Sequence, residues 1–359
     1  MESLQTDIIT ILKAYINRDY SFNISLKYDD LYRKSTNYSL GPVVGYSLNK
    51  SSKYKNSTFD NVVYNAAIRY EKQEKCREYI SKLLIENGID FLFLKGATYA
   101  KFYDEPYLRI SADIDILVSN NDFNKAKDII INKGKFILFT EAGNEVTLRK
   151  NGIDIDLQRT LTNDVEVDEK MFDEVDLSSS NHELSDEYKY ILVISHTAKH
   201  LRENYIGLQF ILDLYYLNQL KLDREFINNK LKIAGLNKFN EINLDMIDVL
   251  FNNKKSNDVI DKYIEFLFNL SENLENMVLV GNANDNYLFR RIFPKYKTML
   301  RLYPKVENKL LLPIYYVKRI FDRISQGRSK KALVEINTNR HIDSNKVKEV
   351  KDLYNNIGL

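Results

Sequence analysis

Two short runs in this chain alternate an acid with an apolar residue: Asp113-Ile114-Asp115-Ile116-Leu117-Val118 and, further on, Asp154-Ile155-Asp156-Leu157. On a strand, residues two apart project from one face, so each run presents its carboxylates on one side while its isoleucines enter a core. Acids held side by side repel unless a positive charge sits between them, and hard divalent cations with oxygen ligands are the common solution. For either run alone, an exposed strand face carrying two acids is the alternative. If the second strand pairs beside the first, Asp156, the deeper of its two acids, reaches the same ion as Asp113 and Asp115.

The surroundings of these runs predict an α+β fold. Asp90–Leu94 reads as a buried strand ending in a Lys95-Gly96 turn, and 96–104 as a helical segment. Ile114–Val118 is a strand, and Asp122–Lys133 an amphipathic helix stopped by Gly134. Strands follow at Phe136–Thr140, Glu145–Arg149 and Ile153–Leu157. This order suggests a small mixed sheet with helices packed on one side.

Helices dominate elsewhere, in keeping with only five prolines and twelve glycines. Leu4, Ile8, Ile11, Leu12 and Tyr15 form an apolar stripe at helical spacing. A long helix starts near Ser57 and Thr58 and stops at Gly88, while 35–55, with Gly41, Pro42 and Gly45, reads as irregular connection. Helices return at Tyr190–Arg202, Leu208–Leu220, Arg224–Ala234 and Asn237–Phe251. The expected divisions are a helical region at 1–88, the sheet-bearing core at 89–180, a helical unit at 181–335, and a polar tail or loosely attached helix at 336–359.

The sole cysteine, Cys76, excludes a disulfide within the chain and a thiolate zinc site. The N-terminus lacks the pattern of a signal peptide, and no run approaches the roughly 18 apolar residues a membrane helix needs. A cytoplasmic location and no membrane partner are therefore expected. The net charge of +2 marks no general polyanion binder. Locally, though, 290–331 is strongly basic, opposed only by Glu307 and Asp322 and interleaved with Tyr296, Tyr303, Tyr315 and Tyr316. Such a stretch suits RNA, DNA or a phosphorylated acceptor, or else is a solvated helical face.

Further candidates flank the acids. Lys95-Gly96 lies where a strand gives way to a helix, a place where backbone N–H groups and a lysine can hold phosphate oxygens. Arg109 and Ser111 add a fork-shaped cation and a hydroxyl just before the acidic pair. His196 and His200, four apart on a predicted helix, share a face. His200, with Lys199 and Asp213, is expected at the cleft, positioning nucleotide or acceptor, with plain helix packing as the alternative.

The run Phe93-Leu94-Lys95-Gly96 followed by Arg109-Ile110-Ser111-Ala112-Asp113-Ile114-Asp115-Ile116-Leu117-Val118 resembles the polymerase-β-like nucleotidyltransferase superfamily. Within it, the chain looks closest to a poorly characterised bacterial nucleotidyltransferase family with a Lys-Gly turn, a downstream arginine and an Asp-Ile-Asp strand. The resemblance covers roughly 60–160 well and continues more weakly through 196–213 and the Phe-Pro, Tyr-Pro and Leu-Leu-Pro segments near 293, 303 and 312. It implies a mixed sheet flanked by helices, metal ligands at Asp113, Asp115 and Asp156, and nucleotide contacts at Lys95, Gly96, Arg109 and Ser111. Two departures stand out. Gly96-Ala97 replaces the superfamily's common Gly-Ser, and Asp156-Leu157-Gln158 stands where a histidine often follows.

The expected activity is magnesium- or manganese-dependent transfer of a nucleoside monophosphate from a triphosphate such as ATP to an acceptor, with release of pyrophosphate. RNA, a protein and a small molecule all remain open as the acceptor. The alternatives are a catalytically silent nucleotide- or RNA-binding regulator and an Asp-x-Asp glycosyltransferase, against which the Lys-Gly turn and second acidic strand count.

Overall fold

The computed structural model describes residues 3–25, 27–142, 144–162, 165–203, 207–270, 274–284, 287–296, 299, 303, 309–325 and 329–359. Helices α1 (Ser3–Asn17), α2 (Tyr28–Asn37) and α3 (Gly41–Lys50) precede the long helix α4 (Ser57–Ile85). The span expected to be irregular at 35–55 is therefore largely helical, and α3 is mostly buried. Pro42 sits in the first turn of α3, where its missing N–H costs nothing. Gly45 faces α4 so closely that a Cβ there would lie 2.9 Å from Val63 Cγ2 and 3.1 Å from the Phe59 carbonyl oxygen. These residues read from sequence as breakers; in the fold they start a helix and let it approach its neighbour.

Asn56 caps α4 by accepting from the Thr58 N–H. The helix runs 29 residues, about 43 Å at helical rise. That length lets it join two cores. Phe59 near its start lies among the helical units, while Ile80, Leu83 and Leu84 near its end lie beneath the sheet.

The sheet contains β1 (Phe91–Phe93), β2 (Ile114–Val118), β3 (Ile137–Ala142), β4 (Glu145–Lys150) and β5 (Ile153–Gln158), in the order β1-β2-β5-β4-β3. Only the β2–β5 pair is parallel. Helix α5 (Gly96–Ala100) follows β1, α6 (Phe123–Asn132) follows β2, and α7 (Val165–Met171) follows β5. Ile114, Ile116, Ile155 and Leu157 enter a core with α4 and with Phe123, Ala126 and Ile130 of α6. Because side chains alternate, Asp115 and Asp156 face the other way, toward α8 (Asp186–Glu203).

The second core unites α1–α3 with α8, α9 (Phe210–Asn218) and helices further along the chain. The Tyr38 hydroxyl donates to the Phe268 carbonyl. The terminal helix, Ser344–Ile357, is docked rather than loose. It buries Val350, Leu353, Tyr354 and Ile357, and the Tyr354 hydroxyl donates to the Leu201 carbonyl. Its polar composition hides an amphipathic face that only packing reveals. No helix among the described residues is long and apolar enough to cross a membrane.

Candidate active site

Parallel pairing of β2 with β5 sets Asp115 directly opposite Asp156. Asp113 precedes β2 by one residue, and its carboxyl is held within the electrostatic reach of both. Asp115 is 6% exposed. Its Oδ1 lies 3.2 Å from Lys95 Nζ and accepts from Gln158 Nε2 at 2.6 Å. Burial, followed by the charges of Asp115 and Asp156, pushes the Asp113 carboxyl up to about 7. Burial also raises Asp156, opposed by the Thr147 hydroxyl beside it. Crowded acids of this kind cannot all ionise cheaply, so both Asp113 and Asp156 hold protons more tightly than a free carboxylate. Asp156 Oδ1 is buried and has no hydrogen-bond partner.

The turn before the acids is built with backbone strain. Lys95 and Gly96 have φ of +38° and +36°, a region that L side chains avoid. A Cβ on Gly96 would meet Ser111 Oγ at 3.2 Å, so glycine serves both the conformation and the close approach. Ser111 Oγ donates to the Asp113 carbonyl at 2.9 Å. From α4, Gln73 Nε2 donates to the Ser111 carbonyl and Arg69 Nη2 to that of Ala112. The segment leading into the acidic strand is thus fastened from beneath.

Arg109 is engaged within the protein. Its Nη2 and Nε donate to Asp213 at 2.8 and 3.3 Å, and its guanidinium lies 5.3 Å from the centre of the Tyr99 ring. The Tyr103 hydroxyl donates to the same carboxylate at 2.8 Å. Arg109 and Asp213 line the cleft but spend their charge on each other. Lys199 and His200 line it too. His196 and His200 approach at 2.9 Å between their Nε2 atoms, so one ring nitrogen carries the shared proton and the other is bare. Burial, with Lys95 next, holds His196 well below the ordinary imidazole range, which keeps it neutral.

These groups surround a cleft of about 400 Å³ between the sheet and α8. It brings together Lys95, Arg109, Ser111, Asp113, Asp115, Asp156, Lys199, His200 and Asp213. Gly96 lies directly behind, against Ser111. Three residues at the site escape a reading of the sequence. Gln158, two positions after Asp156, reaches across to Asp115; Glu145 pairs with Gln158 in register; Thr147 pairs with Asp156. Burial and the charge of Asp156 raise the Glu145 carboxyl. Alternation along β4 places Glu145 and Thr147 on one face, but only the strand register says which face that is.

Among the described residues, no three His, Cys, Asp or Glu side chains converge as a ready set of metal ligands. The donor chemistry nonetheless fits a hard cation: oxygen ligands from adjacent strands, one of them a buried carboxylate oxygen without a partner. Lys95 is the ammonium now beside Asp115.

A family described as uncharacterised nucleotidyltransferase matches residues 26–252, which takes in the whole sheet and the cleft. The chain belongs to this nucleotidyltransferase family. No curated protein matches it. Membership assigns this nucleotidyltransferase to nucleotidyl transfer in general terms and makes a nucleotide its substrate. The matched span ends before the basic stretch at 290–331. There the side chains of Arg290, Arg291, Lys297, Arg301, Lys305, Arg323, Arg328, Lys330 and Lys331 lie outside those described. Of the others, Arg319 is buried and donates to the Ile292 carbonyl, while Lys309 and Lys318 lie over the rings of Tyr296 and Tyr303.

Proposed function

We propose that the chain transfers a nucleoside monophosphate from a nucleoside triphosphate to an acceptor hydroxyl, releasing pyrophosphate. The observation that carries this reading is the register that sets Asp115 against Asp156, with Asp113 beside them, in a cleft large enough for a nucleotide. Asp113, Asp115 and Asp156 would hold magnesium or manganese, which when bound neutralises the phosphates and the departing pyrophosphate. Lys95 and the Gly96 turn stand where phosphate oxygens would be held. The acceptor oxygen bonds to the α-phosphorus as the bond from that phosphorus to the pyrophosphate oxygen breaks. The acceptor proton passes to Asp156, whose buried Oδ1 has no hydrogen-bond partner in the protein.

A silent nucleotide-binding regulator is the second reading, favoured by one observation. Asp115 Oδ1 already has both Lys95 and Gln158 as partners. Calorimetry with ATP, GTP, CTP and UTP in magnesium, paired with a pyrophosphate-release assay, separates the two. Binding that needs magnesium, lost in Asp113→Asn/Asp115→Asn, with pyrophosphate released once acceptors are supplied, supports transfer. Binding without turnover across broad acceptor mixtures supports the regulator. No triphosphate binding at all would sink both.

A further inference from the structure

A second chamber of about 640 Å³ adjoins the cleft, and the two share Lys95, Glu145, Gln158, His196 and Lys199 as common walls. None of Asp113, Asp115 or Asp156 lines it. Its volume falls within the range of small-molecule sites. Its chemistry is distinct from that of the cleft. Thr140, Asn144, Thr160, Thr162 and Ser195 line it with polar side chains, among which Asn144 Nδ2 donates to Thr160 Oγ1 and Thr160 Oγ1 to the Thr162 carbonyl, beside apolar residues that include Met171 and Leu236. Lys199 and Arg202, three apart on α8, add two cations against the one carboxylate of Glu145. Lys199 makes no ion pair among the described residues, whereas Lys95 is paired with Asp115. Among the residues lining the chamber there is no Phe, Tyr or Trp on which a nucleobase could stack.

We propose that this chamber is the acceptor site and that it takes a small polyhydroxylated anion, a sugar phosphate or a sugar acid. The inference rests on the nucleotidyl-transfer reading, which puts the triphosphate in the cleft next door. Lys199 and Arg202 hold the anionic group, and the threonine hydroxyls and Asn144 read the polyol. Glu145, on the wall common to both spaces, turns one substrate hydroxyl toward Asp156. That oxygen forms the new bond to the α-phosphorus, its proton goes to Asp156, and pyrophosphate leaves with the electron pair of the broken bond. A single-stranded nucleic acid is disfavoured here because the one ring among the lining residues, His196, is shared with the cleft, and the chamber is sized for one small molecule.

The test uses the full chain with magnesium and ligand-observed saturation-transfer NMR. The probes are glucose 6-phosphate, gluconate, glucose and a short oligoribonucleotide. Ser195→Trp puts a bulky ring at a position that lines the chamber and not the cleft, and Lys199→Met removes one cation while keeping the length of the side chain. One of the two anions should bind at least tenfold more tightly than glucose, and which one it is distinguishes phosphate from carboxylate. That binding should disappear in Ser195→Trp and weaken at least tenfold in Lys199→Met. Triphosphate binding, read by calorimetry, should persist in Ser195→Trp. Three results would overturn the proposal: neither anion binds the wild type, both bind Ser195→Trp unchanged, or only the oligoribonucleotide is displaced by the tryptophan. Loss of triphosphate binding in the wild type overturns the nucleotidyl-transfer reading instead, a failure visible apart from the chamber's own selectivity.

Discussion

The two walls of the cleft treat buried charge in opposite ways. On the helical wall, Arg109 and Asp213 have side chains only 13% and 3% exposed and answer each other through two hydrogen bonds, with Tyr103 completing the carboxylate. On the sheet wall, Asp113, Asp115 and Asp156 crowd one another with a single ammonium and an amide among them, and one carboxylate oxygen is left without a partner. Both arrangements cost desolvation. Only the first recovers that cost inside the protein; the second makes sense if a ligand completes it.

Substitutions should separate the two walls. The largest expected effect is on the sheet side. Asp113→Asn or Asp115→Asn should lower transfer on the order of 10³-fold, while Asp113→Asn, which breaks no ion pair, shows a melting temperature equal to or above that of the wild type, because like-charge repulsion is relieved. A large drop in its melting temperature would place Asp113 with the scaffold. Next in size, Arg109→Met should destabilise the fold by about 3 kcal/mol in urea titration, because Asp213 is left buried without its partner. The double variant Arg109→Met/Asp213→Leu should recover much of that loss. If Arg109→Met instead keeps full stability and only weakens triphosphate binding, the arginine belongs with the ligand-binding wall.

Gly96→Ala should cost about 1 kcal/mol through its positive φ, with added crowding against Ser111, and should weaken triphosphate binding by displacing the turn. A pH slope tests the acids directly. Asp113 titrates near 7 in the fold against 3.8 unfolded, so the folded state binds the extra proton between these values. Without divalent cation, stability from this site therefore falls as pH rises from about 4 to about 7 and is level above that. Asp113→Asn should flatten the slope in pH-dependent denaturation, and a slope unchanged by that substitution would remove Asp113 from the coupled cluster.

The fold was legible wherever local pattern and burial agree. The strands bearing Asp115 and Asp156, the helix after β2 and the helices at Arg224–Ile233 and Asn237–Phe251 stand close to where periodicity places them. Pattern misled where tertiary contact reinterprets a residue. Gly41, Pro42 and Gly45 look like a loop until α4 packs against them, and the terminal helix looks detached until Tyr354 reaches Leu201.

The same division runs through the site. The sequence by itself determined that two acidic strands exist, that their carboxylates lie on one face of each, and that a lysine-glycine turn precedes them, because alternation and turn chemistry are local properties of the chain. Only the tertiary structure decided that Asp115 stands opposite Asp156, that Gln158 and Glu145 join them, that Arg109 spends its charge on Asp213, and that a second chamber opens beside the acids. Strand register and helix docking bring together residues far apart along the chain, and those pairings depend on packing across the whole molecule rather than on any local run of residues.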